Sequence, residues 1–158
     1  MMPGGCMNPE VTFRELQRSD ARRLHEACWA DQNRAYVEMM FRRAFTLQNR
    51  NRGGARVAVV NNQACAFGLV TIWSQVAEIS DLVVSGELRG LGIGTALLGE
   101  LTRLAQQLGS KTVEIGARVN NTRAIALYER VGFVPNRTIN LRFSTGVEDI
   151  IYLRKSIE

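Results

Sequence analysis

The sequence is poor in the residues that build metal and redox centres. Cys6, Cys28 and Cys65 are its only cysteines, odd in number, widely spaced and free of any CxxC pair. Neither a disulfide framework nor a zinc knuckle is expected, and such cysteine usage points to a reducing cytoplasm. His25 is the sole histidine, so no histidine ligand set can form. Its i, i+3 spacing to Cys28 fits the boundary between the surface and core faces of a helix as well as a Cys-His nucleophile. No metal is expected. No apolar run approaches the roughly 20 residues that cross a bilayer, and MMPGGCMNPE at the start has no basic segment followed by an apolar run. Neither secretion nor membrane insertion is expected. Internal repeats and low-complexity tracts are absent, and no lysine precedes Lys111.

What is present fits one compact domain, with 46% hydrophobic and 22% charged side chains over 158 residues. A chain of that length buries roughly two-thirds of its unfolded surface without staples. The expected division is a flexible N-terminus over 1–10 and a single domain over 11–158. The formal charge is +5, and all basic residues but Lys111 and Lys155 are arginine. This balance favours an anionic partner without saying whether it is a nucleic acid, a phosphorylated cofactor or an acidic surface.

Val11 to Gln17 alternates imperfectly and suggests a first strand, after which Ser19 and Asp20 offer an N-cap. From Ala21 the pattern turns helical. After a break near Asp31 it resumes with Val37, Met40, Phe41 and Ala44 as one stripe, giving two helices or one bent helix. Asn49 to Arg56 (NRNRGGAR) reads as a solvated basic loop. Arg56–Val60, Ala64–Trp73 and Val76–Val84, with a turn at Asn61-Asn62, read as an antiparallel meander. Gly92 to Leu108 is helical and stops at Gly109, Lys111–Ala117 is a strand, and Asn121–Arg130 is a helix closed by Gly132. Phe133–Pro135, Asn140–Phe143 and Val147–Leu153 read as short strands. This order implies an α+β fold, one sheet with helices on both faces.

The segment richest in chemistry is Asp81 to Leu98, DLVVSGELRGLGIGTALL, a strand feeding a glycine-rich turn that opens into a helix. Gly90, Gly92 and Gly94 allow close backbone approach and positive φ. The unpaired N–H groups and dipole of the first helical turn offer an anion site that fits a phosphate or pyrophosphate. A dinucleotide GxGxxG pattern fails, because Leu97 or Thr95 stands where its last glycine belongs. A Walker A loop fails for want of a lysine. Taken alone, the turn could also be a flexible connection with incidental glycines.

Two motifs narrow the choice. Arg89-Gly90-Leu91-Gly92-Ile93-Gly94 resembles the R/Q-x-x-G-x-G/A pyrophosphate loop of the GNAT superfamily of N-acetyltransferases, with Leu82-Val83-Val84 as the preceding strand. Asn121 to Phe133 resembles that family's N-x-x-A-x-x-L-Y-x-x-x-G-F segment at every fixed position. The resemblance is close over roughly Glu78 to Val134 and otherwise follows the order of elements. It implies an α/β/α sandwich around a mixed, mostly antiparallel sheet of six to seven strands, with a splayed central pair formed by the Val84 strand and Val113–Ala117.

The resemblance further implies acetyl-CoA as co-substrate and an amine as acceptor, with no metal. The amides of Arg89, Gly90, Leu91, Gly92, Ile93 and Gly94, and the Thr95 hydroxyl, would hold the pyrophosphate. Leu82, Val83 and Val84 would pair with the pantetheine arm, with Asn121 and Ala124 beside it, Asn121 also being a natural N-cap. Tyr128 is the implied acid, because a phenol of pKa ~10 can donate to a thiolate whose conjugate thiol has pKa ~8.5. Bare periodicity makes the same Tyr128 a core aromatic, in a stripe with Ala124, Leu127 and Val131. For the base, Glu78 stands six residues before Val84 and shares its face unless a bulge intervenes. Asp81 would need such a bulge, and water could also serve.

The expected function is acetyl transfer to a primary amine by direct attack in a ternary complex. A small molecule or amino acid is favoured over a protein or peptide amine. Ala30–Arg56 and Asn136–Val147 would choose the acceptor. Arg34, Arg42, Arg43, Arg50 and Arg52 make the first of these basic, which favours some negative charge on the acceptor. The alternatives are a non-catalytic acyl-CoA-binding or regulatory domain and a nucleic-acid-binding module. The last has only net charge in its favour and lacks an aromatic stacking motif among basic residues. A homodimer through the final strands is compatible with the pattern.

Overall fold

The computed structural model describes residues 10–158, so nearly all of the expected flexible N-terminus, with Cys6, lies outside the described residues. Val11–Glu15 forms β1, and a single helical turn at Arg18–Asp20 leads into α1 (Ala21–Cys28) and α2 (Arg34–Asn49). β2 (Gly53–Val60), β3 (Gln63–Trp73) and β4 (Val76–Val84) form the antiparallel meander that alternation and the Asn-Asn turn led one to expect. Asn61 and Asn62 both take left-handed φ, 52° and 62°, as a two-residue hairpin turn requires. α3 (Ile93–Gln107), β5 (Thr112–Arg118), α4 (Thr122–Arg130), β6 (Val134–Phe143) and β7 (Gly146–Ser156) complete the chain.

The strands join one sheet of order β1-β2-β3-β4-β5-β7-β6. Only β4 and β5 run parallel, because α3 carries the chain back across the sheet between them. Strand alternation sends side chains to two separate cores. On one face Ala58, Ala66, Val70 and Ile79 meet Ile93, Leu97, Leu98 and Leu101 of α3 and Tyr128 of α4. On the other, Val57, Phe67 and Leu69 meet Leu24 of α1 and Val37, Met40, Phe41 and Ala44 of α2. The result is an α/β/α sandwich with seven mixed, mostly antiparallel strands.

Local chemistry explains where the elements depart from the sequence pattern. α1 and α2 are separate helices, with Asn33 capping the second through its side-chain oxygen, which accepts from Tyr36 N–H at 2.8 Å. Ser19 and Asp20 make no side-chain cap to α1. Asp20 is buried instead and accepts from both terminal nitrogens of Arg14 at 2.8 Å and from Gln17 N–H at 2.8 Å. The expected basic loop is shorter than its composition suggests, because Gly53, Gly54 and Ala55 are buried strand residues. Phe133–Pro135 and Asn140–Phe143 are not separate strands: β6 is continuous over Val134–Phe143, with a register irregularity between Pro135 and Arg137.

Candidate active site

The glycine turn has the geometry its composition implies, with one exception. Gly90 and Gly92 take left-handed φ of 83° and 79°, and a Cβ on either would meet nothing within 4 Å. The turn is therefore strained for any L side chain and open on its outer surface. Gly92 caps α3, whose first backbone bond runs from Ala96 N–H to Gly92 O at 3.0 Å. The N–H groups of Ile93, Gly94 and Thr95 thus have no intrahelical acceptor. Gly94 is the exception. It has no positive φ, and its added Cβ would make an ordinary contact 3.6 Å from Val84 Cγ2.

β4 and β5 pair only from Val76↔Thr112 to Ile79↔Ile115. Beyond that point β5 stays paired with β7 as far as Arg118↔Ile150, while β4 continues to Val84 without β5 beside it. This divergence is the expected splay, and it leaves one backbone edge of β4 without a strand partner. A cavity of about 760 Å³ lies at the opening. β4 contributes Leu82, Val83 and Val84 to its wall, and the turn with α3 contributes Arg89, Gly90, Gly92, Ile93, Gly94 and Thr95. Asn121, the N-cap of α4, and Ala124 and Tyr128 within that helix close it. Leu91 is half-exposed to solvent and does not line the cavity.

A bulge changes the expected position of Glu78. Asp81 has a left-handed φ of 56°, and the β3 register slips between Phe67↔Val83 and Leu69↔Ser80, so two β4 residues oppose Gly68. Side-chain alternation is reset there. Val84, opposite Ala66, faces α3. Glu78, opposite Thr71, faces the side of α1 and α2. Glu78 therefore shares a face with Val83 and not with Val84, and it stands at the base of the splay, one residue before β4–β5 pairing ends.

Glu78 lies in register with Glu114 of β5. Glu114 is buried and fully engaged, accepting from Arg137 Nη1 and Nη2 at 3.1 and 2.9 Å and from Arg154 Nε at 2.7 Å. Glu78 is half-buried and makes no ion pair among the described residues. It is the carboxylate left free at this point. Tyr152, whose ring lies 4.6 Å from the Arg137 guanidinium, has its phenol pushed up by burial first and then by the Glu78 carboxylate. Nearby, Thr71 Oγ1 and Ser80 Oγ are buried without a hydrogen-bond partner. Asp81 is exposed, and after burial it and Asp31 raise the phenol of Tyr36.

Tyr128 belongs both to the core and to the cavity wall. Its body is buried in the α3-side core, 6.2 Å from the Phe133 ring between centroids, and it lines the cavity. Burial raises its phenol pKa above 10.0, so it holds its proton throughout the neutral range. Asn121 caps α4 by accepting from Ala124 N–H at 3.2 Å and borders the cavity as well. His25 bonds through Nε2 to Gln32 O at 2.8 Å, closing the α1–α2 connection.

Several cavity residues sit at variable positions of the two motifs, among them Arg123 and Arg130 of α4. Their i, i+7 spacing is legible in sequence and puts both on one helix face. Tyr152 and Glu114 had no comparable signal, since only the β4–β5 and β5–β7 registers bring them to Glu78. A second groove of about 480 Å³ lies along α2, lined by Arg18, Val37, Phe41, Arg42 and Phe45. No β4 or β5 residue reaches it. Among the described residues no group of three or more His, Cys, Asp or Glu is placed to hold a metal, and no helix is long and apolar enough to cross a membrane.

Comparison with known proteins agrees with this geometry. The model of the family described as Acetyltransferase (GNAT) family matches residues 12–133. An uncharacterized N-acetyltransferase of Methanocaldococcus jannaschii is 35% identical over 55% of this chain and 42% of its own length. The [Ribosomal protein bS18]-alanine N-acetyltransferase of Escherichia coli K12 is 32% identical over 46% of this chain and 49% of its own. The chain thus matches less than half the length of these curated relatives. Among solved structures, a GNAT superfamily phosphinothricin acetyltransferase from Sinorhizobium meliloti, in complex with AcCoA, superposes with a TM-score of 0.75 at 20% identity. That match covers 93% of this chain and 88% of the other, and it shows the shared fold.

Proposed function

The chain belongs to the acetyltransferase (GNAT) family, and from that premise we propose that it transfers the acetyl group of acetyl-CoA to a primary amine, with both substrates bound together. One observation carries the proposal. The unpartnered edge of β4, the left-handed glycine turn with the free amides of α3, and the buried phenol of Tyr128 all line a single cavity.

The residues fit the co-substrate. Turn amides from Arg89 to Gly94 and the Thr95 hydroxyl are suited to a diphosphate, and the Leu82–Val84 edge to the amides of a pantetheine arm. Asn121 and Ala124 border the same path. When bound, acetyl-CoA supplies an activated thioester carbonyl. Burial keeps the proton on Tyr128 Oη at neutral pH, so the phenol can donate it in a hydrogen bond to the sulfur as the C–S bond breaks and coenzyme A leaves. The free carboxylate of Glu78 takes the amine proton, directly or through water. Glu114 is saturated by Arg137 and Arg154 and is unsuited to this task. Asp81, turned outward at the bulge, is the second candidate.

The charge near Glu78 bears on the acceptor. Arg34 is paired with Glu38, and Arg42 lines the groove along α2. After burial, the carboxylates of Glu78 and Glu114 raise the Tyr152 phenol and those of Asp81 and Asp31 the Tyr36 phenol, while Arg137, paired with Glu114, lowers that of Tyr152. This arrangement favours an acceptor that arrives as an ammonium ion, whereas the arginines of α2 and the loop after it favour some negative charge elsewhere on the acceptor. A small-molecule or amino-acid amine is the first reading. A protein N-terminal amine is the second, supported by the bS18-alanine N-acetyltransferase relative.

A panel of small amines, amino acids and N-terminal peptides, with acetyl-CoA and free-thiol detection, tests the proposal. Thiol release with small amines or amino acids supports the first reading, and release with peptides alone the second. Acetyl-CoA binding without turnover on any acceptor would favour a non-catalytic acyl-CoA-binding domain.

A further inference from the structure

α4 presents charge that the chemistry above leaves unused. Arg123 and Arg130 stand two helical turns apart on one face, roughly 10 Å along the axis at 1.5 Å per residue. Both are exposed and both line the cavity, as does Arg89 from the glycine turn. None of the three pairs with a carboxylate among the described residues, whereas Arg103, Arg118, Arg137 and Arg154 in the same half of the chain all do. Ala126 and Leu127 occupy the wall between the two α4 arginines. Ala126 is exposed and carries only a methyl group, so the surface between the guanidiniums is low and unobstructed.

Cations gathered at a cavity mouth without acidic partners repel one another unless an anion joins them. The diphosphate assigned to the turn already has the amides of α3 and the Arg89 side chain beside it. Arg123 and Arg130 remain. Coenzyme A differs from its precursor dephospho-coenzyme A in one further anion, the phosphomonoester on the ribose 3′ carbon. Such a group is close to doubly charged at neutral pH, since its second pKa is about 6. A planar guanidinium can bind it through two parallel N–H donors.

Resting on the acetyl-CoA reading, we propose that Arg123 and Arg130 form a clamp for the 3′-phosphate of coenzyme A, through which the protein selects coenzyme A thioesters over thioesters lacking that group. The clamp acts on affinity. It plays no part in acetyl transfer.

Calorimetric titration of the whole chain with coenzyme A and with 3′-dephospho-coenzyme A, at low ionic strength, provides the test. It uses the wild type, Arg123→Gln, Arg130→Gln and the double variant. Glutamine keeps helix propensity close to that of arginine, and dephospho-coenzyme A serves as an internal control for folding. The wild type should bind coenzyme A ~10-fold to 100-fold tighter than the dephospho form, as one or two charge-assisted contacts imply. The double variant should bind both ligands equally, with dephospho affinity within about 2-fold of wild type, because no contact to the shared part is lost. Equal wild-type affinity for the two ligands overturns the clamp, as does an equal loss for both ligands in the variants. Failure of the wild type to bind either ligand overturns the clamp together with the acetyl-CoA reading, and so is told apart from failure of the clamp alone.

Discussion

Tyr128 is both core and cavity wall, which makes its hydroxyl separable from its ring. Tyr128→Phe keeps the packing against Phe133 and deletes only Oη. The single-turnover rate should fall by about 100-fold, the lower range for loss of a positioned acid. Acetyl-CoA affinity by calorimetry should stay within ~2-fold, since uniform binding is untouched. A rate equal to wild type removes the phenol from the proton path. Cys28 carries a different expectation. Its Sγ donates to Cys65 O at 3.5 Å, and burial, with Cys65 behind it, pushes the thiol up from 9.0 to about 11 against the pull of Arg89 and Arg23. The unfolded thiol ionises first as pH rises. The folded state then holds more protons than the unfolded one, so stability is full below pH 9.0 and is lost toward about 11. Urea midpoints should fall through that window, and the fall should be shallower in Cys28→Ala. An identical slope in the variant would assign the alkaline loss to other groups.

At the scale of elements, legibility followed side-chain pattern and failed where pattern was interrupted. The α3 stripe and the Asn121–Phe133 motif are dense in apolar and motif residues, and both landed on the expected helices. Gly53 and Gly54 have no side chains to alternate, so their strand was invisible and their basic neighbours suggested a loop. The bulge at Asp81 was equally hidden, because a left-handed Asp leaves no compositional mark, and it reversed the face inferred for Glu78. The partners of Glu114 lie 23 and 40 residues away and meet it only through the β5–β7–β6 register. The hidden strand end at Gly53 is testable. A Cβ on Gly53 would clash with the backbone oxygen of Val70, whereas one on Gly54 would meet only side-chain atoms at 3.8 and 3.9 Å. Their φ values, 146° and 156°, are similar, so comparing the two alanine variants isolates the clash. Because that oxygen belongs to the β2–β3 pairing, Gly53→Ala should lower stability by roughly 3 kcal/mol or more, as a forced break in a packed sheet does. Gly54→Ala should cost clearly less, and equal urea midpoints for the two would refute the close approach.

Across the whole molecule, net charge proves a poorer guide than its distribution. The formal +5 conceals Arg89, Arg123 and Arg130 around the cavity mouth on the α3–α4 side, and Glu78, Asp81 and Asp31 near the base of the splay and the α1–α2 connection. An anionic co-substrate on one side and a cationic acceptor on the other fit that division, whereas a single strand of RNA would need a continuous basic track with stacking aromatics. The two cases predict different responses of the folded state. A ligand that binds only the native protein adds ~2.7 kcal/mol of stability at 100 times its Kd. For a domain of this size each kcal/mol shifts Tm by about 2–4 °C, so acetyl-CoA near that excess should raise Tm by roughly 5–10 °C. The shift should shrink as added salt screens the arginines at the mouth. Single-stranded RNA at the same molar excess should leave Tm unchanged. A Tm raised by RNA and indifferent to acetyl-CoA would mean that the arginines serve a polyanion and that the cavity is not a coenzyme A site.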